Sequence, residues 1–291
     1  MNTDIVTVAL IGVNTYHATV FSQLINGTAE EPATVTGARI THAWPGDHRD
    51  TAEELAAKHG FEVADDLQSL VGAVDLVLVI DDTDGGVRHL ELARPFLSAG
   101  MAVFVDKPVV ATPDEVTELI KLATDHDARL MGGSALRYSS ELPAFRQELA
   151  EIGDPISYVS VCPNEWFYYG IHAVELLLAL DPGRPTSVDL TRFDNHDTAR
   201  ISFDTTRTAT VTTIPGAHYF HATVYGTKGA ATITVSDAKG FYGNELQAMV
   251  EMARTKQAPS LTPTLDAVDI MFAGLTSAES GRPVEVTPRE T

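Results

Sequence analysis

Ala102-Val103-Phe104-Val105-Asp106-Lys107-Pro108 is the stretch that decides the fold. Four apolar residues, the length of a short strand, end abruptly in an acid, a lysine and a proline. Pro108 has no N–H to give a sheet and restricts Lys107 to extended geometry, so the strand stops there. In a parallel sheet this is the carboxyl end of a strand, where the ligand crevice opens. Thr112-Pro113-Asp114-Glu115 follows: a capping threonine, proline at the first helical position, and glutamate three residues after the cap. A helix therefore begins just downstream.

The same alternation runs outward from this stretch. Residues 6–12 read as a buried parallel strand opening into a tight turn. Val20, Phe21, Leu24 and Ile25 share one helical face, which Asn26-Gly27 stops. Residues 38–44 form a second strand, and Thr51 with Glu54 reads as a capping box for a helix ending at Gly60. Val63 gives a short third strand, residues 74–80 a fourth, and residues 129–132 a sixth. Leu90, Ala93, Phe96 and Leu97 lie on a helix closed by Gly100. Strands alternating with helices at this spacing predict a Rossmann-type, doubly wound parallel sheet of the α/β class.

After residue 138 the pattern changes. A polar helix over 141–152 is followed by two-residue alternation, as in Ile201 and Phe203 or Ala231, Ile233 and Val235. Such strands predict an α+β domain with a mainly antiparallel, open sheet. A final helix is expected over about 265–277, with a short tail packing on the first domain. The expected domains are a dinucleotide-binding one over 1–131 and a substrate-binding and oligomerisation one over 132–291.

Bulk composition agrees with two soluble domains. The chain has 291 residues, more than one core usually holds, and 44% of them are hydrophobic. Forty acids against 20 Lys plus Arg give a formal net charge of −20, which repels nucleic acid and anionic membranes. The single cysteine, Cys162, excludes a disulfide within the chain and suits a reducing compartment. No basic N-terminal region precedes a long apolar core, and no apolar run approaches the ~20 residues of a membrane span. The expectation is a cytoplasmic protein.

With these elements laid out, Asp106-Lys107-Pro108 resembles the Glu-Lys-Pro signature of the glucose–fructose oxidoreductase / inositol dehydrogenase / MocA family. Gly133-Ser134-Ala135-Leu136-Arg137-Tyr138 after the sixth strand and the Gly170-x-His172 element extend the resemblance over nearly the whole chain. Aspartate stands at 106 where the family has glutamate. The resemblance implies an oxidoreductase using NAD or NADP on a sugar, cyclitol or related polyol. It also implies a homo-oligomer, dimer or tetramer, and a cis bond between Lys107 and Pro108. A wide exposed sheet is seldom left solvated, so the open face of the second sheet is the expected oligomer contact.

Gly12-Val13-Asn14-Thr15-Tyr16-His17 occupies the slot of a G-x-G-x-x-G fingerprint, with only its first glycine kept. Asn14 tolerates left-handed geometry, and the helix starting near Thr15 offers N–H groups and a positive dipole. Gly12, Asn14 and Thr15 are therefore the expected pyrophosphate cradle, with a bulky His17 in the third place. Trp44-Pro45-Gly46 stands where an acid usually meets the ribose, so NAD against NADP stays open. Asp82 and Thr83, at the end of strand four, are implied at the nicotinamide ribose, and Asp106 and Lys107 at the cofactor. A plain polar turn is the alternative for 81–86. His89 reads as an exposed helix residue near a family histidine.

Lys107 beside a crevice can hydrogen-bond a reacting oxygen, its pKa lowered by partial burial. Tyr168, His172 and Glu175 fall at i, i+4 and i+7, one stripe of a helix. The family pattern is an aspartate, a glycine two later, a histidine four later and an acid three beyond. Gly170, His172 and Glu175 match it, and Tyr168 replaces the aspartate that would orient the histidine. The resemblance thus implies Lys107, His172 and Tyr168 as catalytic, and Arg137, Tyr168 and Glu175 at the substrate. Two ligands at i, i+3 do not make a metal site, so none is expected. Two other readings stay open: a ligand-binding or regulatory homologue without turnover, and elimination chemistry through a retained cofactor.

Overall fold

The structure is a computed structural model that describes residues 5–287 and 289. It forms two compact units: the chain up to Gly132 together with Tyr242–Leu261, and Gly133–Phe241 together with the chain from Thr262 onward.

In the first unit, β1 (Val6–Ile11), β2 (Ala38–Trp44), β3 (Glu62–Val63), β4 (Leu76–Val79), β5 (Ala102–Asp106) and β6 (Arg129–Gly133) make one sheet in the order β3-β2-β1-β4-β5-β6. β1 pairs in parallel with β2 and β4, and β4 with β5. The inner strands are buried along nearly their whole length because helices cover both faces, which is why they read as unbroken apolar runs. The helices are α1 (Tyr16–Asn26), α2 (Arg49–His59), α3 (His89–Ser98) and α4 (Pro113–Asp125). Strand order reverses between β1 and β4, and the ligand crevice of such a sheet lies at that switch point.

α4 starts as its sequence predicts. The Thr112 side chain accepts from the Glu115 N–H, and the Glu115 carboxylate accepts from the N–H groups of Ala111 and Thr112. α2 does not: Arg49 opens it, with His48 as N-cap, and Thr51 lies inside the first turn. Arg49 bonds Glu53 one turn on and Asp65 beyond the helix, which anchors the earlier start. The Lys107–Pro108 bond is cis.

The second unit opens with α5 (Leu142–Leu149) and holds β7 (Pro155–Pro163), β8 (Ser187–Arg192), β9 (Asp197–Ser202), β10 (Thr208–Ile214), β11 (Phe220–Gly226), β12 (Gly229–Val235) and β13 (Val284–Glu285). They form a sheet in the order β12-β11-β7-β10-β9-β8-β13, antiparallel except where β10 meets β7. Tyr158, Ser160 and Cys162 of β7 and Ala209, Val211 and Thr213 of β10 are buried on one face. That face packs α6 (Ile171–Leu178) and α8 (Thr262–Ser280). The opposite face carries Val159, Thr210, Thr212 and Thr223, all partly exposed. The two-residue alternation thus has its expected cause, one dry face and one wetter one.

Two features differ from expectation. β13 pairs with β8, so the tail adds a strand to the second sheet where the sequence suggested packing on the first domain. α7 (Ala238–Thr255), which the sequence reading passed over, begins in the second unit and continues into the first from Tyr242. Its buried Phe241, Glu245, Met249 and Met252 recur at helical spacing, so the signal was present. Among the described residues no helix is long and apolar enough to cross a membrane.

Candidate active site

In the first unit the expected cofactor residues converge at the carboxyl ends of β1, β4 and β5. Gly12 has φ +89°, and a Cβ there would lie 2.5 Å from Asp81 Cα, so only glycine fits the turn. Asn14 clamps the loop after β4: its Oδ1 accepts from the Asp82 N–H at 3.0 Å and its Nδ2 donates to Thr83 Oγ1 at 3.2 Å. Thr15 caps α1, accepting from the His17 N–H at 3.2 Å. Asn14 thus ties the turn that follows β1 to Asp82 and Thr83, with Thr15 beside it at the start of α1. Asp81 is 1% exposed; its Oδ1 accepts from the Thr83 N–H, while its buried Oδ2 has no hydrogen-bond partner among the described residues.

Asp106, expected at the cofactor, is engaged inside the protein. Its Oδ2 lies 2.5 Å from His17 Nδ1, and its Oδ1 accepts from the Lys107 N–H at 2.7 Å. Burial pushes this carboxyl up, but the charge and hydrogen bond of His17 outweigh it and hold Asp106 down at about 2. Lys107 is 8% exposed. Burial lowers its pKa, against the opposing pull of the Asp106 and Asp82 carboxylates. His89 is buried, not exposed: its ring nitrogens lie 2.7 Å from the Pro108 carbonyl and 2.8 Å from that of Asp81. It ties the end of β4 to the turn that carries the lysine.

In the second unit His172, on the first turn of α6, has Nδ1 2.7 Å from Ser134 Oγ. Ser134 is buried at the end of β6, where its hydroxyl also accepts from the Leu136 N–H. Sequence reasoning missed this residue, although it sits inside the quoted Gly-Ser-Ala-Leu-Arg-Tyr motif. A π-helical turn, Trp166–Gly170, precedes α6 and takes an extra residue per turn. The Tyr169 ring lies against His172 at 5.2 Å, with Phe220 on the same ring at 5.4 Å. Tyr168 packs on Tyr169.

Glu175, expected at the substrate, has no exposed surface; its Oε2 lies 2.7 Å from Arg137 Nη2. Burial raises this carboxyl to about 7 in spite of the arginine's opposing charge. Gly133, at φ +107°, leaves no room for a Cβ beside the same carboxylate. Arg137 and Glu175 thus brace the segment that carries Ser134. Among the described residues no group of three or more His, Cys, Asp or Glu could hold a metal ion.

Comparison with known proteins covers both halves. Residues 6–134 match the model of an oxidoreductase family with an NAD-binding Rossmann fold. An inositol 2-dehydrogenase of Rhizobium meliloti (strain 1021) is 30% identical over 99 residues, 34% of this chain and 29% of that protein. The match thus spans under a third of that curated relative's length. The crystal structure of myo-inositol 2-dehydrogenase from Lactobacillus plantarum superposes with a TM-score of 0.84 at 15% identity, covering 97% of this chain and 100% of the other. A Lactobacillus casei myo-inositol dehydrogenase, in complex with NAD(H) and myo-inositol, gives 0.83 at 18% identity, covering 99% and 98%. At such identities the likeness is one of fold.

Proposed function

We propose that this chain, which belongs to the glucose–fructose oxidoreductase / inositol dehydrogenase / MocA family through its NAD-binding Rossmann half, is a nicotinamide-dependent dehydrogenase. Its substrate is a sugar, cyclitol or related polyol, oxidised or formed at a CH–OH group. The observation that carries this reading is Lys107, a nearly buried lysine of lowered pKa at the carboxyl end of β5.

The residues present fit a dinucleotide. Gly12 makes the tight turn, and α1 has no acid in its first turn to repel a pyrophosphate at its positive end. The partnerless Oδ2 of Asp81 is an acceptor suited to a ribose hydroxyl. His17 is buried against Asp106 and Phe21, so its bulk is accommodated inside the protein. Gly12, Thr15 and the α1 N-terminus would hold the pyrophosphate, with Asp82 and Thr83 at the nicotinamide ribose. Bound there, the nicotinamide accepts or supplies the hydride.

Lys107 donates a hydrogen bond to the reacting oxygen, and the burial that lowers its pKa makes its proton easier to give up. His172 is the general acid/base. Ser134 fixes Nδ1 and so assigns proton exchange to Nε2. Arg137 and Glu175 act by position, and the aromatic rings of Tyr168 and Tyr169 offer a surface for a polyol's C–H face. The sheet face bearing Val159 and Thr223 is the expected contact of a dimer or tetramer.

The test is a melt of nucleotide-stripped protein with NAD, NADH, NADP or NADPH, followed by turnover with inositols and sugars read from nicotinamide absorbance. A ligand at 100 Kd stabilises by about 2.7 kcal/mol, and each kcal/mol moves the Tm by roughly 2–4 °C. A shift of several degrees with one oxidised/reduced pair, together with turnover, supports the dehydrogenase. No shift with any of the four favours a ligand-binding homologue, the reading that the two lost glycines suggest.

A further inference from the structure

Two departures from the family pattern meet in a single contact. His17 stands at the third glycine place of the fingerprint, and Asp106 where a glutamate precedes Lys-Pro. His17 is 8% exposed; its ring stacks on Phe21 at 5.2 Å and has Nε2 3.0 Å from the Tyr242 hydroxyl of α7. Its Nδ1 meets Asp106 Oδ2, while Asp106 Oδ1 takes the Lys107 N–H. Each oxygen of the carboxylate is therefore held from a different element.

We infer that His17 is a positioning residue for Lys107: it keeps Asp106 ionised and fixed beside the lysine, joining the first turn of α1 to the end of β5. The functional meaning rests on the reading of Lys107 given above. The physical content does not.

A fully buried carboxylate with no partner takes up a proton, because desolvation penalises its charge. In Asp106 that penalty is outweighed first by His17, with lesser help from Lys107 and His89. The ionised Asp106 acts back on Lys107, opposing the desolvation that drives the lysine toward its neutral form. Asp82, from the loop after β4, is the other carboxylate pulling in this direction. His17 of α1 and His89 of α3 reach the lysine through Asp106. Without His17, Asp106 loses the partner that does most to hold it ionised, and its pull on Lys107 weakens.

The experiment follows Lys107 directly, by NMR of protein carrying 13C-labelled lysine, with its signal assigned by loss in Lys107→Met. Wild type, His17→Gln and Asp106→Asn are titrated with pH. The expected result is a Lys107 midpoint about one pH unit lower in both variants. A midpoint unchanged in His17→Gln overturns the inference, whatever Asp106→Asn does. If His17→Gln fails to fold, 15N-histidine spectra of the wild type decide. A proton resident on His17 Nδ1, strongly downfield in the bond to Asp106, supports the inference, and an unprotonated Nδ1 overturns it. A lysine that shifts as expected in a protein without nicotinamide turnover leaves this inference standing and removes only the dehydrogenase reading.

Discussion

Glu175 makes the stability of the second unit depend on pH in an unusual direction. Its carboxyl is raised by burial from 4.5 to about 7. The folded protein therefore holds a proton on Glu175 at pH values where the unfolded chain has released it. Stability is full below the unfolded value and falls as pH rises from about 4.5 through about 7, then levels off. About 2.5 pKa units at about 1.4 kcal/mol each gives a loss of about 3 kcal/mol. Glutamine at 175 cannot ionise, so the difference between wild type and Glu175→Gln isolates this group from all others that titrate. Denaturant curves at pH 5 and pH 8, in a Trp44→Phe background, leave the buried Trp166 of the second unit as the sole tryptophan reporter. Wild type should lose about 2.5 kcal/mol relative to Glu175→Gln between those two pH values, the remainder being lost already below pH 5. Arg137→Met should move the window to higher pH, since the arginine's charge lowers the Glu175 pKa. Parallel pH profiles for wild type and Glu175→Gln would refute the reasoning.

Three further outcomes are expected. Ser134→Ala removes the hydroxyl that fixes His172 Nδ1 and should lower kcat roughly ten- to a hundredfold with little change in KM, measured by steady-state kinetics. Gly12→Ala puts a Cβ 2.5 Å from Asp81 Cα at a positive φ; it should cost about 1–3 kcal/mol and abolish the nucleotide-induced melting shift. Val159→Arg, on the partly exposed face of β7, should convert a dimer or tetramer to monomer in analytical ultracentrifugation; an unchanged assembly removes that face as the contact.

The features legible in the sequence are those set by local physics. The apolar run into Asp106-Lys107-Pro108, the Thr112 cap and the two-residue alternation of β9 and β12 each declare themselves within a few residues. The Thr51 box misled because capping composition also occurs inside a helix, and Arg49 had partners in Glu53 and Asp65. The Tyr168–His172–Glu175 stripe assumed 3.6 residues per turn, whereas a π-helical turn precedes α6 and the Tyr169 ring also lies against His172. His17 read as damage because its partner lies 89 residues away. Nothing local announces such a pair.

The two departures from the family pattern, one in each unit, thus have different replacements. At 17 the glycine's space is traded for a hydrogen-bonding partner, and the Asp106 carboxylate gains a fixed orientation. At 168 the orienting carboxylate is gone and the Ser134 hydroxyl stands at the His172 ring instead. The substitution is not neutral. A carboxylate only accepts, so it pins a proton on Nδ1 and favours the charged ring. A hydroxyl donates or accepts, so it serves His172 with the proton on either nitrogen. Such a ring passes between tautomers without losing its partner, and general acid and general base forms are then held in the same orientation. Under the proposed function that suits a reversible dehydrogenase, in which His172 would give the proton in one direction and take it in the other.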